Sequence, residues 1–276
     1  MRIAVIFSTF LPAPYTVRLP ALRRKLRAAC LAALLLPACG AAGAAGLTLY
    51  AAAGVKAPLE EMASQFEAST GQHVALVFDT AGAAEQRFIA DSTAAMLITT
   101  EARLRAAQTR GQLRDGAMRA LGDTVGGIAV RPGGTRPAIA SADQLRSALL
   151  AAPRIAFSDP ARGATVGRHF MQVIETLGIR DEVLKKSTLA VDGVETMHLV
   201  LDGKADLGIT QVSEIMQADP SALLGPFPPQ FDLATTYAVW TPANAPAAAG
   251  AFAALITSVE QQPRLRGHGL RPAPAP

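Results

Sequence analysis

The sequence predicts an α/β protein whose sheets are mixed, mostly parallel and flanked by helices. Short runs of apolar and β-branched residues alternate with longer stretches of helical periodicity, which is the pattern of βαβ units. The alternation restarts near Gly126, so it comes in two blocks. Strand after strand also ends in small or hydroxylated residues just before a helix.

In the first block, LTLYAAA (47–53) reads as a buried strand. PLEEMASQFEAST (58–70) reads as a helix, with Pro58 in the first turn, where a missing N–H costs nothing, and carboxylates near the positive end of the dipole. Its residues Leu59, Met62 and Phe66 share one face. HVALVF (73–78) is the next strand, AAEQRFIADS (83–92) a helix, AMLITT (95–100) a strand, and EARLRAAQTRG (101–111) a helix closing at Gly111.

The second block opens with GGIAVRPGG (126–134), a strand stopped by Pro132, Gly133 and Gly134. SADQLRSALLA (141–151) carries a capping box, Ser141 to Gln144, at the head of a helix. RIAFS (154–158) is a strand that runs through Asp159-Pro160 and Gly163 to Gly167 into a helix. After EVLKKSTLAV (182–191) come the helix VETMHLVLDG (194–203), the strand ADLGIT (205–210) and the short helix VSEIMQ (212–217). TTYAVW (235–240) is a strand, residues 245–265 form a terminal helix, and the tail RPAPAP is expected to be disordered.

Residues 1–45 are expected to be an export signal rather than part of the fold. Arg18, Arg23, Arg24, Lys25 and Arg27 precede an apolar run over 28–36 and a small-residue tail, and the run is too short to cross a membrane. Periplasmic localisation follows. LPAC places Cys39 as the lipid-bearing residue of a lipoprotein signal, while Ala42-Gly43-Ala44 fits ordinary cleavage; both readings stay open. Both cysteines, Cys30 and Cys39, fall in this segment, so the remaining domain is expected to have no disulfide or thiol chemistry. Six of the 26 lysines and arginines precede residue 40, where there are no acids, leaving 20 against 22 acidic residues. That balance removes the electrostatic motive for nucleic acid as a partner.

No catalytic constellation is present. His73, His169, His198 and His268 are scattered without metal-ligand spacing, and there is no nucleophile elbow, Walker loop or dinucleotide fingerprint. No cofactor is expected, and the reading is a binding protein rather than an enzyme. Asp79 beside Thr80, and Asp159, are the only acid–base candidates for an enzyme on this fold. Five strand ends, AAAGVK, FDTAGAAE, SDPARGATVG, VDGVET and ITQVSE, can converge on one cleft, since ligands of α/β sheets bind beyond the carboxyl ends of strands. In the third of these, Gly163 to Gly167 would let N–H groups at a helix start face an anion.

LYAAAGVKAPLEEMASQFEASTG, DPARGATVG, GKADLGITQVSE and GHGL together resemble the molybdate-binding proteins of ABC importers, within the type II periplasmic binding proteins. The resemblance covers nearly the whole chain beyond residue 45. It implies a two-lobed fold, with residues 46–124 plus 240–276 as one lobe, 125–239 as the other, and crossings near Val125-Gly126 and Tyr237. It also implies a monomer that captures a small anion, a molybdate-like oxyanion or an organic carboxylate, and delivers it to an importer permease in the inner membrane. A ligand sensor for a receptor is the alternative.

The family's first serine position falls on Gly54, beside Ala53, and the second falls near Thr80, Ala81 and Gly82. Its backbone donors fall on Thr165, Val166 and Val194, and its tyrosine on Gln211. Gly54 has no hydroxyl, and each lost hydrogen bond to a buried oxyanion weakens binding about 10- to 100-fold. A serine at position 54 is therefore expected to tighten molybdate binding. Arg87 and Arg162 are candidates to pair with an organic carboxylate.

Overall fold

The computed structural model describes residues 46–272. The expected export signal, both cysteines and the last four residues of the tail lie outside them. Strand β1 (Leu47–Ala52) leads through a 3-10 turn into α1 (Lys56–Thr70), followed by β2 (Val74–Asp79), α2 (Ala81–Ala90), β3 (Met96–Thr100) and α3 (Glu101–Thr109). A 15-residue strand, β4 (Gly116–Val130), then runs from the first block into the second. Beyond it come α4 (Ala142–Ala151), β5 (Ile155–Ser158), α5 (Thr165–Thr176), α6 (Arg180–Leu184) and β6 (Ser187–Ala190). The chain continues through α7 (Gly193–Leu201), β7 (Leu207–Gln211), α8 (Val212–Ala218) and β8 (Leu223–Pro226). It ends with β9 (Ala234–Pro242), α9 (Ala247–Ile256) and α10 (Gln262–Gly267).

The strands form one connected order, β2-β1-β3-β9-β4-β7-β5-β6, with β8 on β4. β1 pairs in parallel with β2 and β3, and β5 with β6 and β7, as βαβ crossovers require. Pairing is antiparallel wherever β4 or β9 takes part. Strand β4 pairs with β9 over Gly116 to Val125, then with β7 from Gly126 to Val130, so one strand carries both halves. Only its second part is legible as an apolar run; GAMRALGDTV is too polar, and its outer end is exposed. Strand β9 is in the β4 ladder from Ala234 onward.

Each half has its own core. Leu49, Leu59, Met62 and Ile98 are fully buried in the first half, where Phe66 and Phe252 meet at 5.2 Å. In the second, the Phe157 and Phe170 rings stand edge to face at 5.0 Å. The terminal helix is two helices: α9 stops at Ile256, and a 3-10 turn leads to α10, which has Pro263 in its first turn.

Glycines of the Gly163 to Gly167 loop bring chain against chain. Gly163 has φ +80°, and a side chain there would put its Cβ 2.7 Å from the Gly82 Cα of the other half. At Gly167 a Cβ would overlap the carbonyl oxygen of Ser158, so this glycine lets α5 sit on the end of β5. Its missing side chain serves packing, while the neighbouring Ala164, Thr165 and Val166 line the cavity described below. Gly250, exposed in α9, has nothing within 4 Å of a Cβ. Gly167→Ala is therefore expected to cost about 1–3 kcal/mol as overpacking, and Gly250→Ala to gain about 0.4–1 kcal/mol. Chemical denaturation of the two variants checks both signs.

Candidate functional site

Where the two halves meet, a small cavity of about 20 Å³ is lined by Thr80, Ala81, Ser158, Ala164, Thr165, Val166, Gly193, Thr210, Gln211, Glu214 and Tyr237. It has room for about one water. Helix α5 points its N-terminus here without a side-chain cap from Ala164, so its first N–H groups lack the usual partner. The Thr165 hydroxyl is buried with no hydrogen-bond partner among the described residues, whereas the buried Gln211 side chain closes a capping box with the Glu214 backbone. The Gln211 amide nitrogen donates to the Thr235 hydroxyl at 3.1 Å.

The same cavity holds a carboxyl group. Glu214, at the third position of α8, accepts from the Gln211 N–H at 3.1 Å and from the Thr210 hydroxyl. Burial pushes its pKa up to about 7; the hydrogen bonds oppose that, and Asp192 adds to it. Its carboxyl lies so close to Gly193, the first residue of α7, that a Cβ at 193 would overlap it. Tyr237, brought in by β9, is buried, and desolvation, then Glu214, raise its pKa well above the usual phenol range. It is a neutral hydroxyl, placed where a Cβ on Gly54 would collide with it. A serine at 54 therefore cannot be added with the ring in place, which corrects the expectation of a simple gain there.

A set of bonds closes the cleft. Asp79, at the end of β2, is buried and receives Arg87 at 2.8 Å from its own half and Arg162 at 3.0 Å from the other. Arg162 also donates to the Val191 carbonyl at 3.0 Å. Thr80 caps α2 by accepting from the Ala83 N–H at 3.1 Å, and its hydroxyl donates to the Arg162 carbonyl. Gln217 of α8 reaches across to the Gly54 carbonyl and the Ala57 N–H, both at 2.8 Å. Arg87 and Arg162 are thus committed to Asp79, and they hold the halves together rather than standing free for a ligand. Asp159 accepts from the Ala161 N–H at 2.8 Å and serves the turn.

The fold brings Thr80, Ala81, Thr165, Val166 and Gln211 of the expected set to this one cavity. Ala53, Gly54, Gly82 and Val194 are not in its lining. Gly54 is behind the Tyr237 hydroxyl, Gly82 is packed on Gly163, and Gly193 takes the place foreseen for Val194. Glu214 and Tyr237 were not foreseen. Glu214 could have been, because Gln211 and Glu214 have capping-box spacing at a strand end. Among the described residues no group of His, Cys, Asp and Glu could hold a metal ion, and no helix is long and apolar enough to cross a membrane.

A family model described as bacterial extracellular solute-binding protein matches residues 47–271, and the chain belongs to that family. Among curated proteins it is similar to an aconitate isomerase of Pseudomonas sp, 25% identical over 236 residues, or 83% of this chain and 88% of that one. Among solved structures it resembles the periplasmic molybdate-binding protein of Azotobacter vinelandii, with TM-score 0.66 and 21% identity, covering 83% of this chain and all of that one. The sulfate-binding protein SubI of Mycobacterium tuberculosis gives TM-score 0.60 at 16% identity over 83% of this chain and 87% of its own. Those two likenesses confirm the two-lobed fold.

The buried carboxyl has a measurable signature. A group whose pKa rises from 4.5 in the unfolded chain to about 7 in the fold contributes stability below pH 4.5 that is lost as pH rises through about 7. That difference corresponds to about 3 kcal/mol. Glu214→Gln keeps an acceptor for Thr210 and Gln211 but cannot ionise. Its stability relative to the parent is expected to improve by that amount between pH 4.5 and 7.5, and a relative stability independent of pH would contradict the assignment.

Proposed function

We propose that this solute-binding protein captures a small organic carboxylate in the cleft between its halves, outside the cytoplasm, and presents it to an ABC importer. The observation that carries the reading is the uncapped start of α5 beside the buried, unpartnered Thr165 hydroxyl. Unpaired N–H groups at a helix start, with a neutral hydroxyl opposite, make a receptor for one carboxylate. The halves must part to admit it, which the two strands crossing between them permit as hinges.

Glu214 bears on the choice of anion. Next to an ionised glutamate a dianionic oxyanion is repelled, whereas a protonated Glu214 can donate to a carboxylate. Binding then takes up a proton at Glu214. Affinity for a carboxylate is expected to be flat between about pH 5 and 6, where the ligand is ionised and Glu214 protonated, and to fall up to tenfold per unit above pH 7. Calorimetry in two buffers of different ionisation enthalpy reads both the affinity and the proton. Tight molybdate binding with no proton uptake would refute the reading. Growth dependence on a cognate permease separates import from a receptor-linked sensor.

A second reading is favoured by Glu214 itself, together with the aconitate isomerase relative. A buried carboxyl with a pKa about 7 can take and return a proton at neutral pH. On an alkene tricarboxylate such as aconitate, Glu214 would remove a proton from the methylene carbon, leaving an allyl anion. Returning a proton to the other end of that anion moves the double bond and allows cis and trans forms to interchange, with no co-reactant. Incubation with cis-aconitate in deuterium oxide tests this by NMR: the trans isomer with deuterium on carbon is expected, lost at least 100-fold in Glu214→Gln. Binding without isomerisation or exchange leaves the capture reading alone.

A further inference from the structure

Beside the inner cavity, and sharing Thr165 with it, a larger cavity of about 400 Å³ is lined by Glu85, Thr100, Ala102, Arg103, Ala106, Arg110, Thr165 and Arg168. Three guanidinium groups here face one carboxylate. Glu85 is buried and already taken, by Arg103 at 2.5 Å and by Arg110 at 3.0 Å. Arg168 comes from the other half and has no hydrogen bond or ion pair from its side chain among the described residues. It lies on α5 three residues after Thr165, so both stand on the same side of the helix.

Arg103, on the opposite half from Arg168, lines the outer cavity. One of its terminal nitrogens lies 3.1 Å from where a Cβ on Gly82 would stand, at the rim where Gly82 meets Gly163. Partial burial, then the like charge of Arg103, lower the pKa of Arg168, and the single carboxylate of Glu85 opposes them. Three guanidiniums sharing the one carboxylate of Glu85 leave an excess of positive charge at the cleft, which a second anion would relieve.

We infer that the Arg168 and Arg103 guanidiniums form a second carboxylate subsite, so that the ligand is a di- or tricarboxylate bridging from the start of α5 to the cleft mouth. The inference rests on the carboxylate-capture reading and narrows its ligand class. A small tetrahedral oxyanion occupies one position and cannot bridge two. Arg168 then belongs to one half and Arg103 to the other, and a bridging ligand ties them together as Asp79 ties Arg87 and Arg162.

The test is calorimetric titration with tricarballylate, a saturated tricarboxylate that cannot isomerise, alongside propionate as its single-carboxylate counterpart. Both are run on the parent, Arg168→Gln and Arg168→Lys, each checked for an unchanged melting temperature; Arg168 is exposed, so folding is expected to survive. The parent is expected to bind tricarballylate well above propionate. Arg168→Gln is expected to lose about 10- to 100-fold for tricarballylate and little for propionate. Arg168→Lys should recover part of the loss, since lysine keeps the charge without the planar fork. Equal tricarballylate affinity in the parent and Arg168→Gln overturns the subsite and leaves carboxylate capture standing. A parent that binds neither carboxylate overturns the capture reading, and the subsite with it.

Discussion

The antiparallel ladder between β4 and β9 is the constraint on which the rest depends. A strand that enters two sheets cannot change its direction or register in one without moving the other, because each residue slip turns every side chain to the opposite face. Gly126 is where β4 leaves β9 for β7, and its partner there is Gln211, the last residue before α8. Tyr237 on β9 pairs with Gly122 just past a register shift. The residues at the junction are therefore set by backbone hydrogen bonds, and Gln211, Glu214 and Tyr237 arrive in one small space as a consequence. Thr124 adds to this by accepting from the Ser213 N–H at 3.1 Å, which fixes the first turn of α8 to β4.

Across that junction the halves are held by ion pairs and hydrogen bonds rather than by a shared apolar core. Asp79 is buried and would be costly alone; two arginines and the Thr80 N–H at 2.8 Å satisfy it. Both arginines are roughly half exposed, so each pair is screened and modest, and the cleft can open without losing core area. The cores lie behind, in separate clusters on either side. Such an arrangement suits a protein whose ligand enters between the halves, since the bonds that open are the ones water can replace.

Much of the fold was legible because helix and strand periods are local. Leu59, Met62 and Phe66 share a face by spacing alone and are buried. The first part of β4 was not legible: its outer end is exposed, so alternation there has no apolar face to mark it. The site divides in the same way. The strand-end stretches that hold Thr165, Val166 and Gln211 are local patterns, and the family resemblance singled out those residues within them. The clash between Gly54 and Tyr237, by contrast, joins residues far apart in the chain through no local pattern. Arg87 and Arg162 looked like free cations because sequence shows a charge but not its partner. Asp79, beside the expected Thr80, is that partner.

Two ionisable groups, Glu214 and Tyr237, line the inner cavity and set its physics. A receptor made of serine hydroxyls and N–H groups is neutral, and it favours an anion that fits its dipoles at any pH where that anion exists. Here the hydroxyl position beside Gly54 is filled by a phenol, and the start of α7 is filled by the Glu214 carboxyl. A carboxyl inside an anion site must be either neutral or paired. With its ordinary pKa it would repel the ligand; raised to about 7, it can be protonated in the occupied site and act as a donor. On the proposed capture of a carboxylate, the same proton would make binding responsive to pH, and it would make proton transfer to a bound carbon acid chemically accessible. Capture and catalysis thus differ on this frame by whether that proton stays on Glu214 or moves.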